Sequence, residues 1–377
     1  MATYEMAFPT RIVFGAGALA ELPARLSELG AAAPLVVTDP GVVKAGLHEP
    51  VQETLSRAGF SPALFSGVQE NPLEEDCLRA AEAYRRAGAD SVVGLGGGSA
   101  MDAAKLVRLL STHDGPLAQY DDLAGGGQRV VRPLPPMIAI PTTAGTGSEV
   151  GRSAVVTIGE RPGRKIVVFA PALIPSVALC DPELTVGLPA RITAATGMDA
   201  FVHCLEAYCA RGTHPLADAI AIDGLARAAR ALPVAVAEPG NLAARGEMMT
   251  AALMGAVAFQ KGLGACHSLA HALTPTCGVA HGLANAILIQ HVARFNAPAA
   301  PERIEKVAAA IGGRGTAAEQ IAALVGSLGI PTRVRDVGLV EARIPEVAAR
   351  ALADGCHAQN PRPVALADFE ALLRAAW

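Results

Sequence analysis

Short apolar runs alternate with amphipathic stretches along the first half of the chain. Runs rich in Val, Ile and Leu predict strands, the clearest being APLVVTD (33–39), SVVGLGGGS (91–99) and MIAIPTT (137–143). Between these runs, VQETLSRAGF (51–60) and EEDCLRAAEAYRRAGAD repeat apolar residues at helical spacing. Three more extended runs follow, SAVVTIG, KIVVFAP and SVALCDPEL. Strands that alternate with helices predict a parallel sheet covered by helices.

The pattern changes near residue 188. Residues 190–295 consist mostly of long Ala- and Leu-rich stretches at helical spacing, without strand-like runs. The tail, 301–377, adds shorter stretches with the same spacing. These differences predict an α/β domain over residues 1–187 and an all-α domain over residues 188–377.

Composition and charge narrow the classes of partner. The 377-residue chain is 51 % hydrophobic, with a net charge of −4 and both signs of charge interspersed. The absence of a basic stripe argues against nucleic acid and against an anionic membrane surface. No apolar run approaches the roughly 18 residues of a membrane-spanning helix, and the N-terminus does not resemble a signal peptide. The seven scattered cysteines form no Cys-x-x-Cys pair, which predicts reduced thiols in a cytoplasmic protein.

A glycine-rich turn joins a predicted strand to a predicted helix in SVVGLGGGSAMDAAK (91–105). Glycines allow close approach of the backbone, and the first N–H groups of a helix lack internal partners, so this turn suits a pyrophosphate. The alternative is a turn made tight only for packing. Ser99 could cap the helix and also donate to phosphate.

An acidic residue, Asp39, ends the strand LVVTD at the carboxyl edge of the predicted sheet, where α/β proteins bind ligands. Its carboxylate could accept from both hydroxyls of an adenine ribose and would repel a 2′-phosphate, which favours NAD over NADP. The alternative is a turn-forming Asp before Pro40 and Gly41. A third segment, IPTTAGTGSEVGRSAVV (140–156), places Thr, Ser and Gly after a strand and predicts a ligand-facing loop rather than an ordinary polar one.

Two polar pairs at a spacing of four residues lie in the helical half. Asp199 and His203 share one face of a predicted helix, and His267 and His271 share one face of another. His281 follows in a glycine-flanked turn. Neutral imidazoles and a carboxylate are ligands that Fe²⁺ or Zn²⁺ accepts.

A buried histidine is more often a hydrogen-bonded core residue than a ligand. Two such pairs and a third histidine, in a chain with only nine histidines, nevertheless favour a metal site. The spacing does not decide which histidines bind the metal. Pro275 and Gly278 predict a break between the last two histidines of the segment GLGACHSLAHALTPTCGVAHG.

Four motifs resemble those of the iron-containing (group III) alcohol dehydrogenase family: GGGSAMDAAK, PTTAGTGSEV, GMDAFVHCLEAY and CHSLAHALTPTCGVAHGLANAIL. The resemblance extends from FGAGAL near the start to NPRP near the end. It implies an α/β N-terminal dinucleotide-binding domain with a parallel sheet and an all-α C-terminal metal-binding domain. It also implies NAD, a divalent metal (Fe²⁺ or Zn²⁺), a small alcohol or aldehyde as substrate, and a homo-oligomer. The implied reaction is reversible hydride transfer between NAD and a primary alcohol, hydroxy acids included.

The resemblance also assigns roles to individual residues. The four metal ligands of the family match Asp199, His203, His267 and His281. His271 matches the histidine that is usually left off the metal and lies near the nicotinamide and the substrate. The positions implied for the cofactor are Asp39, Asn71, Gly97, Gly98, Ser99, Asp102, Thr142, Thr143, Thr146 and Lys165.

One departure from the family pattern concerns the substrate. Many members have Thr after SEV, whereas this chain has Gly151 followed by Arg152. Arg152 could pair with a substrate carboxylate or phosphonate, or it could face solvent or the domain boundary.

Other functions on the same scaffold are a glycerol dehydrogenase, a dehydroquinate synthase-like lyase, a maleylacetate reductase and a non-catalytic binding protein. Few basic residues accompany the metal motifs, which argues against a lyase acting on a phosphorylated sugar acid. The complete Asp/His set argues against a metal-independent reductase and against a scaffold that has lost its activity.

Overall fold

The computed structural model describes residues 5–8, 10–159 and 163–377. The chain forms two compact units. The first, called the sheet unit, comprises Phe8–Thr143 and Gly147–Gly187. The second, called the helical unit, comprises residues 5–7, Ala144–Thr146 and Leu188–Trp377. Two short segments of the helical unit therefore precede residue 188 in the sequence.

The sheet unit is built on a six-stranded parallel sheet and a separate antiparallel hairpin. The strands are, in chain order, β1 (Arg11–Phe14), β2 (Pro34–Val37), β3 (Ala63–Phe65), β4 (Ser91–Gly96), β5 (Met137–Pro141), β6 (Ser153–Ile158), β7 (Arg164–Phe169) and β8 (Val177–Cys180). The sheet has the order β1-β8-β5-β4-β2-β3, with parallel pairing throughout, and β6 and β7 form the hairpin. The predicted parallel α/β architecture is confirmed.

Helices cover both faces of this sheet. They are α1 (Leu22–Glu28), α2 (Pro40–Lys44), α3 (His48–Arg57), α4 (Glu74–Arg86) and α5 (Gly98–Thr112). Successive strand residues point to opposite faces, so Val92 joins one buried cluster with Cys77 and Met101, whereas Val93 joins the other with Leu26 and Leu55. Near-continuous apolar runs such as β4 result from this double burial.

The connections create a topological switch point within the sheet. The chain runs from β2 outward to β3, then returns to form β4 on the other side of β2. Open α/β sheets bind ligands outside the carboxyl ends of the strands at such a point. Asp39 follows β2 and Gly97 follows β4, so both lie at this edge.

The helical unit contains nine α-helices among its described residues. They are α6 (Ala190–Cys209), α7 (Pro215–Ala237), α8 (Leu242–Ala258), α9 (Ala265–Cys277), α10 (His281–Asn296), α11 (Pro301–Ile311), α12 (Ala317–Ser327), α13 (Ile344–Ala353) and α14 (Leu366–Ala375). The mostly helical second half is therefore confirmed. One stretch, Leu242–Lys261, is long and apolar enough to cross a membrane by composition, but 61 % of it is buried. It packs on α6 and α7 and is a core helix of this unit.

For the histidine-rich segment, the predicted break between His271 and His281 is confirmed at Gly278, but two details of the prediction were wrong. Helix α9 continues through Pro275 and ends before Gly278, whose φ of 67° lies in the left-handed region. Pro275 is tolerated because it lies in the last turn, where its missing N–H removes only one helical hydrogen bond. His281 does not lie in a turn, because it is the first residue of α10.

Candidate active site

The histidine-rich segments of the helical unit converge on one carboxylate. Asp199 Oδ1, on α6, lies 3.4 Å from His281 Nε2 and 3.9 Å from His267 Nε2. The ring of His203 stacks on that of His267, with the centroids 4.7 Å apart, and Asp199, His203 and His267 can offer ligand atoms within 4.8 Å of one another. The ring of His271 stacks on that of His281 at 5.1 Å. The structure thus brings together all five residues predicted for the metal and the reacting carbon.

Glycine allows α10 to approach α6 closely at this point. A Cβ added at Gly282 would lie 2.1 Å from the carbonyl oxygen of Ala195 and 3.2 Å from Cβ of Asp199. Any side chain there would push the first turn of α10 away from α6. Gly282 therefore sets the distance between His281 and Asp199.

Three of the four predicted ligands have protonation states that suit a divalent cation. For His267, burial is outweighed by the hydrogen bond with Glu206, which raises its pKa, so a metal ion would displace a proton from that ring. Burial lowers the pKa of His203 to about 4 and lowers the pKa of His281 well below its ordinary value. Burial works against ionisation of Asp199, but the surrounding histidines, His203 first, outweigh it and lower the pKa of its carboxyl. Neutral imidazoles and an ionised carboxylate are the forms that bind a metal. The donor set, N and O without sulfur, fits Fe²⁺ or Zn²⁺.

Asn285 lies at the centre of the cluster and was missed by sequence reasoning. Its Nδ2 donates to Asp199 Oδ1 at 2.8 Å and lies 3.4 Å from His267 Nε2 and 3.2 Å from His281 Nε2. One donor thus reaches three predicted ligands, so their lone pairs point to one region. The sequence did contain one indication: Asn285 lies four residues after His281, so both side chains project from the same face of α10.

Glu206, also missed, orients one of the predicted ligands. It is buried on α6, and its Oε2 lies 2.6 Å from His267 Nδ1. The same carboxylate accepts from the N–H groups of Gly264 at 3.0 Å and Cys266 at 2.7 Å, so it caps α9 in place of a side chain from the helix itself. With Nδ1–H donated to Glu206, His267 presents the lone pair of Nε2 to Asp199.

Glu206→Gln should therefore weaken metal binding without removing any of the predicted ligands. The expected loss is about 10- to 100-fold in affinity, because outer carboxylates hold the tautomer and orientation of a ligating histidine. Competition with a chromophoric chelator measures the affinity. The matched control is Glu247→Gln. Glu247, on α8, is half-exposed and forms an ion pair with Arg227 on α7. Equal affinities for both variants and the wild type would remove Glu206 from this role.

His271 has its own carboxylate partner. Its Nδ1 lies 2.9 Å from Asp354 Oδ2, and Asp354 Oδ1 accepts from Ser268 Oγ and from the N–H of Cys356, each at 2.8 Å. Burial opposes ionisation of Asp354, but the hydrogen bond with His271 outweighs it and lowers the pKa of the carboxyl. An ionised, doubly anchored carboxylate fixes the ring with Nδ1 as donor. Asp354 follows α13, far from the histidines in sequence, so no local spacing indicated it.

In the sheet unit, Asp39 forms the turn before α2 and also lies next to the glycine turn. Its Oδ1 accepts from the N–H of Val42 at 3.0 Å and caps α2, as a turn-forming residue does. Its Oδ2 lies against the glycine turn, because a Cβ added at Gly96 would be only 3.0 Å away. The carboxylate therefore borders the region predicted to hold the ribose.

The glycine turn leaves the N-terminus of α5 without a side-chain cap. Gly97 occupies the N-cap position, so Ser99 lies inside the first turn and its predicted capping role is wrong. Gly96 has a φ of 143°, which a side chain would disfavour, and its carbonyl accepts from the N–H of Thr142 at 3.0 Å. A Cβ at Gly97 would lie 3.5 Å from Thr143 Oγ1. Uncapped N–H groups beside two threonines suit a pyrophosphate.

Asp102 faces the protein rather than this turn. Its Oδ1 accepts from Ser148 Oγ at 2.6 Å, its Oδ2 accepts from the N–H of Val155 at 3.0 Å, and Lys105 Nζ lies 3.7 Å away. Burial lowers the pKa of Lys105 to about 8. Both carboxylate oxygens are thus used to join α5 to β6 and to the loop before it.

Two other predicted cofactor residues contact each other. Lys165 Nζ donates to Asn71 Oδ1 at 3.0 Å. Asn71 has a φ of 93°, a strained conformation for a residue other than glycine. Thr146, another predicted cofactor residue, belongs to the helical unit and not to the sheet unit.

Arg152, the candidate for binding an acidic substrate, lies just before β6. Its guanidinium lies over the ring of Phe169 on β7, at 5.2 Å from the centroid.

Comparisons with known proteins identify the family of the chain. The sequence profile of "Iron-containing alcohol dehydrogenase" matches residues 9–182, and that of "Fe-containing alcohol dehydrogenase family, C-terminal" matches residues 193–377. A 4-hydroxybutyrate dehydrogenase of Cupriavidus necator is 40 % identical, with 97 % of each chain covered.

Solved structures give the same result. A 1,3-propanediol oxidoreductase is 37 % identical with a TM-score of 0.94, and 100 % of each chain is covered. Sulfoacetaldehyde reductase from Bifidobacterium kashiwanohense, solved in complex with NAD⁺, is 30 % identical with a TM-score of 0.90 over 100 % of this chain and 99 % of that chain.

These matches span both halves of the chain and all of its motifs. The chain belongs to the iron-containing alcohol dehydrogenase family. It is therefore an enzyme, an oxidoreductase, as the sequence motifs predicted.

Proposed function

We propose that the enzyme catalyses reversible hydride transfer between a primary alcohol and NAD⁺ with Fe²⁺ or Zn²⁺ in the helical unit. The observation that carries the proposal is the convergence of Asp199, His203, His267 and His281 beside a histidine oriented by its own carboxylate. A bound divalent cation supplies stabilisation of negative charge on the substrate oxygen, and NAD⁺ supplies the hydride acceptor.

His271 is the proposed proton carrier. Asp354 accepts the hydrogen bond from Nδ1–H, so the neutral ring has its lone pair on Nε2. Nε2 accepts the proton that leaves the alcohol, directly or through a water or a ribose hydroxyl, and returns it in the reduction. Ser268 and the backbone of Cys356 hold Asp354 in place, so the proton-accepting nitrogen keeps its direction.

The proposed cofactor site uses the switch point of the sheet unit. N–H groups at the start of α5, with Gly97, Gly98 and Ser99, would bind the pyrophosphate, and the free side of Asp39 would accept from the ribose. Five further residues are proposed to line the cofactor: Asn71, Thr142, Thr143, Thr146 and Lys165. Asp102 would act indirectly, because its carboxylate joins α5 to β6. On this account residues 1–187 bind NAD, and residues 188–377 hold the metal and the catalytic histidine. A cytoplasmic location and a homo-oligomer stay predictions of the sequence.

Two of the alternatives differ from this proposal in whether the reaction needs a metal or accumulates NADH. A metal-independent maleylacetate reductase would not need four converging ligand groups, three of them hydrogen-bonded to Glu206 or Asn285. A dehydroquinate synthase-like lyase would not accumulate NADH from simple alcohols. A glycerol dehydrogenase shares the chemistry and differs only in the substrate.

An acidic substrate is a second candidate, and the position of Arg152 favours it. The guanidinium of Arg152 lies over the ring of Phe169, a contact that engages the cation without using its N–H donors, which could then bind an anion. The 4-hydroxybutyrate dehydrogenase relative is named for a substrate with a carboxylate. We therefore propose that ω-hydroxy acids are substrates beside neutral alcohols and diols.

Initial rates of NADH formation with 4-hydroxybutyrate and 1,4-butanediol test both proposals. We expect turnover of each by the wild type, and a selective loss of about tenfold or more in kcat/KM for the acid in Arg152→Ala, as for a charge-assisted hydrogen bond. Arg164→Ala, on the same hairpin and paired with Asp121, is the control. Equal losses on both substrates would overturn the role of Arg152, and no NADH from any primary alcohol would overturn the proposed reaction.

A further inference from the structure

A second set of metal-ligating atoms surrounds the far nitrogen of His271. His271 Nδ1 lies 2.9 Å from Asp354 Oδ2 and 3.9 Å from Cys356 Sγ. The three side chains offer ligand atoms that all lie within 4.8 Å of one another, and all three residues are partly exposed. One nitrogen, one oxygen and one sulfur thus meet at a point that a small ion can reach.

We propose that His271, Asp354 and Cys356 form a zinc-binding site whose occupation inhibits the enzyme. The donor types are those that Zn²⁺ prefers, and the thiol distinguishes the site from the Asp/His cluster, which contains no sulfur. The ion binds to Nδ1 of His271, opposite the nitrogen that carries the proton in the proposed reaction.

The observed spacing is close to that of a tetrahedral zinc site. Bond lengths of about 2.0–2.1 Å to N and O and about 2.3 Å to S place N and O about 3.3 Å apart and N and S about 3.6 Å apart. The corresponding distances here are 2.9 Å and 3.9 Å. For the two pairs that involve His271 Nδ1, shifts of a few tenths of an ångström would reach these values. The oxygen and the sulfur, which lie within 4.8 Å of each other, would approach to about 3.6 Å by side-chain rotation, with solvent water as the fourth ligand.

The ligands are held in place by the surrounding backbone. Asp354 Oδ1 accepts from Ser268 Oγ and from the N–H of Cys356, which leaves Oδ2 for the ion. The N–H of His357 donates to the same Ser268 hydroxyl at 2.9 Å and so fixes the Cys356 segment to α9. Burial and the adjacent Asp354 raise the pKa of the Cys356 thiol, so zinc binding displaces its proton to solvent.

Inhibition follows from the two nitrogens of one imidazole. A neutral ring with zinc on Nδ1 carries its only hydrogen on Nε2, and that nitrogen then has no lone pair with which to accept a proton. The Nδ1–H···Asp354 hydrogen bond is lost as well. The inhibition rests on the proposed role of His271, whereas the binding of zinc does not.

Cobalt binding tests the site without reference to activity. Holoenzyme that carries one equivalent of tightly bound divalent metal would be titrated anaerobically with Co²⁺. We expect a thiolate-to-cobalt charge-transfer band in the near ultraviolet for the wild type and for Cys277→Ser, the other partly exposed cysteine, but not for Cys356→Ser. No band in the wild type, a band that survives Cys356→Ser, or loss of the band in Cys277→Ser would each overturn the site.

Zinc inhibition of alcohol oxidation tests the consequence. With each variant's rate normalised to its own zinc-free value, and with the tightly bound metal verified as unchanged, Cys356→Ser should raise the half-inhibiting Zn²⁺ concentration by about tenfold or more. Cys277→Ser should leave it at the wild-type value. Equal half-inhibiting concentrations in all three proteins would place the inhibition elsewhere and contradict the proposal. If the alcohol screen yields no NADH, the cobalt band still decides whether the site exists.

Discussion

His267→Ala should yield protein without bound metal and without measurable turnover, whereas His271→Ala should keep the metal and lose rate. Glu206 fixes the position of His267, whose Nε2 faces Asp199. The substitution of His267 therefore removes a proposed ligand. It also leaves the buried Glu206 carboxylate without its imidazole partner. His271 instead hydrogen-bonds to Asp354, and its ring stacks on that of His281. A proton carrier contributes about 10²–10⁴-fold to a rate.

Metal content and kcat, measured on the same preparations, separate the two roles. His291→Ala, on α10 and outside the cluster, serves as the control for loss of a partly buried histidine. Retention of a full equivalent of metal by His267→Ala would contradict its assignment as a ligand. Loss of metal from His271→Ala would show that the division between ligand and proton carrier is wrong.

Asp354→Asn should lower kcat by about 10²–10⁴-fold with the metal content unchanged, because the carboxylate holds the tautomer of the proton carrier. An amide at this position can donate to Nδ1, which would place the ring hydrogen on Nε2 and block that nitrogen. The effect should fall on kcat far more than on KM, since substrate binding does not depend on the tautomer.

A variant that preserves the charge separates this positioning role from a structural one. Asp354→Glu should recover part of the lost rate, whereas Asp336→Asn, an exposed carboxylate, should retain the wild-type kcat. A thermal unfolding temperature that falls in step with kcat, without recovery in Asp354→Glu, would instead mark Asp354 as a structural anchor for the segment after α13.

Periodicity predicted the elements because their burial is regular. The strands APLVVTD and MIAIPTT are covered on both faces, and helices such as α4 show one apolar stripe, so apolar spacing alone located them. β1 was not predicted, since this edge strand contains only three consecutive apolar residues, Ile12–Phe14, too short a run to separate a strand from a loop. The break between His271 and His281 was predicted correctly at Gly278 and wrongly at Pro275, because a proline in the final turn disturbs only the end of a helix.

The sequence predicted the pairs of site residues that lie on the same helix, but not the pairs that are contributed by different helices. Asp199 with His203, and His267 with His271, are neighbours at a spacing of four, and the family motif ranked them. Glu206 reaches α9 from α6, and Asp354 reaches α9 from beyond α13, so neither pairing has a local signature. Carboxylates that orient histidines are set by tertiary packing, and the structure was needed to find them.

Turnover by metal-depleted protein is the measurement that tests the central claim most directly. After chelation and removal of the chelator, NADH formation from a primary alcohol and NAD⁺ would be followed before and after addition of one equivalent of Fe²⁺ or Zn²⁺. The account predicts no turnover in the depleted protein and recovery with one equivalent of the right metal, because the four proposed ligands, Asp199, His203, His267 and His281, lie together around one carboxylate. Full activity in a preparation with no detectable metal would contradict it.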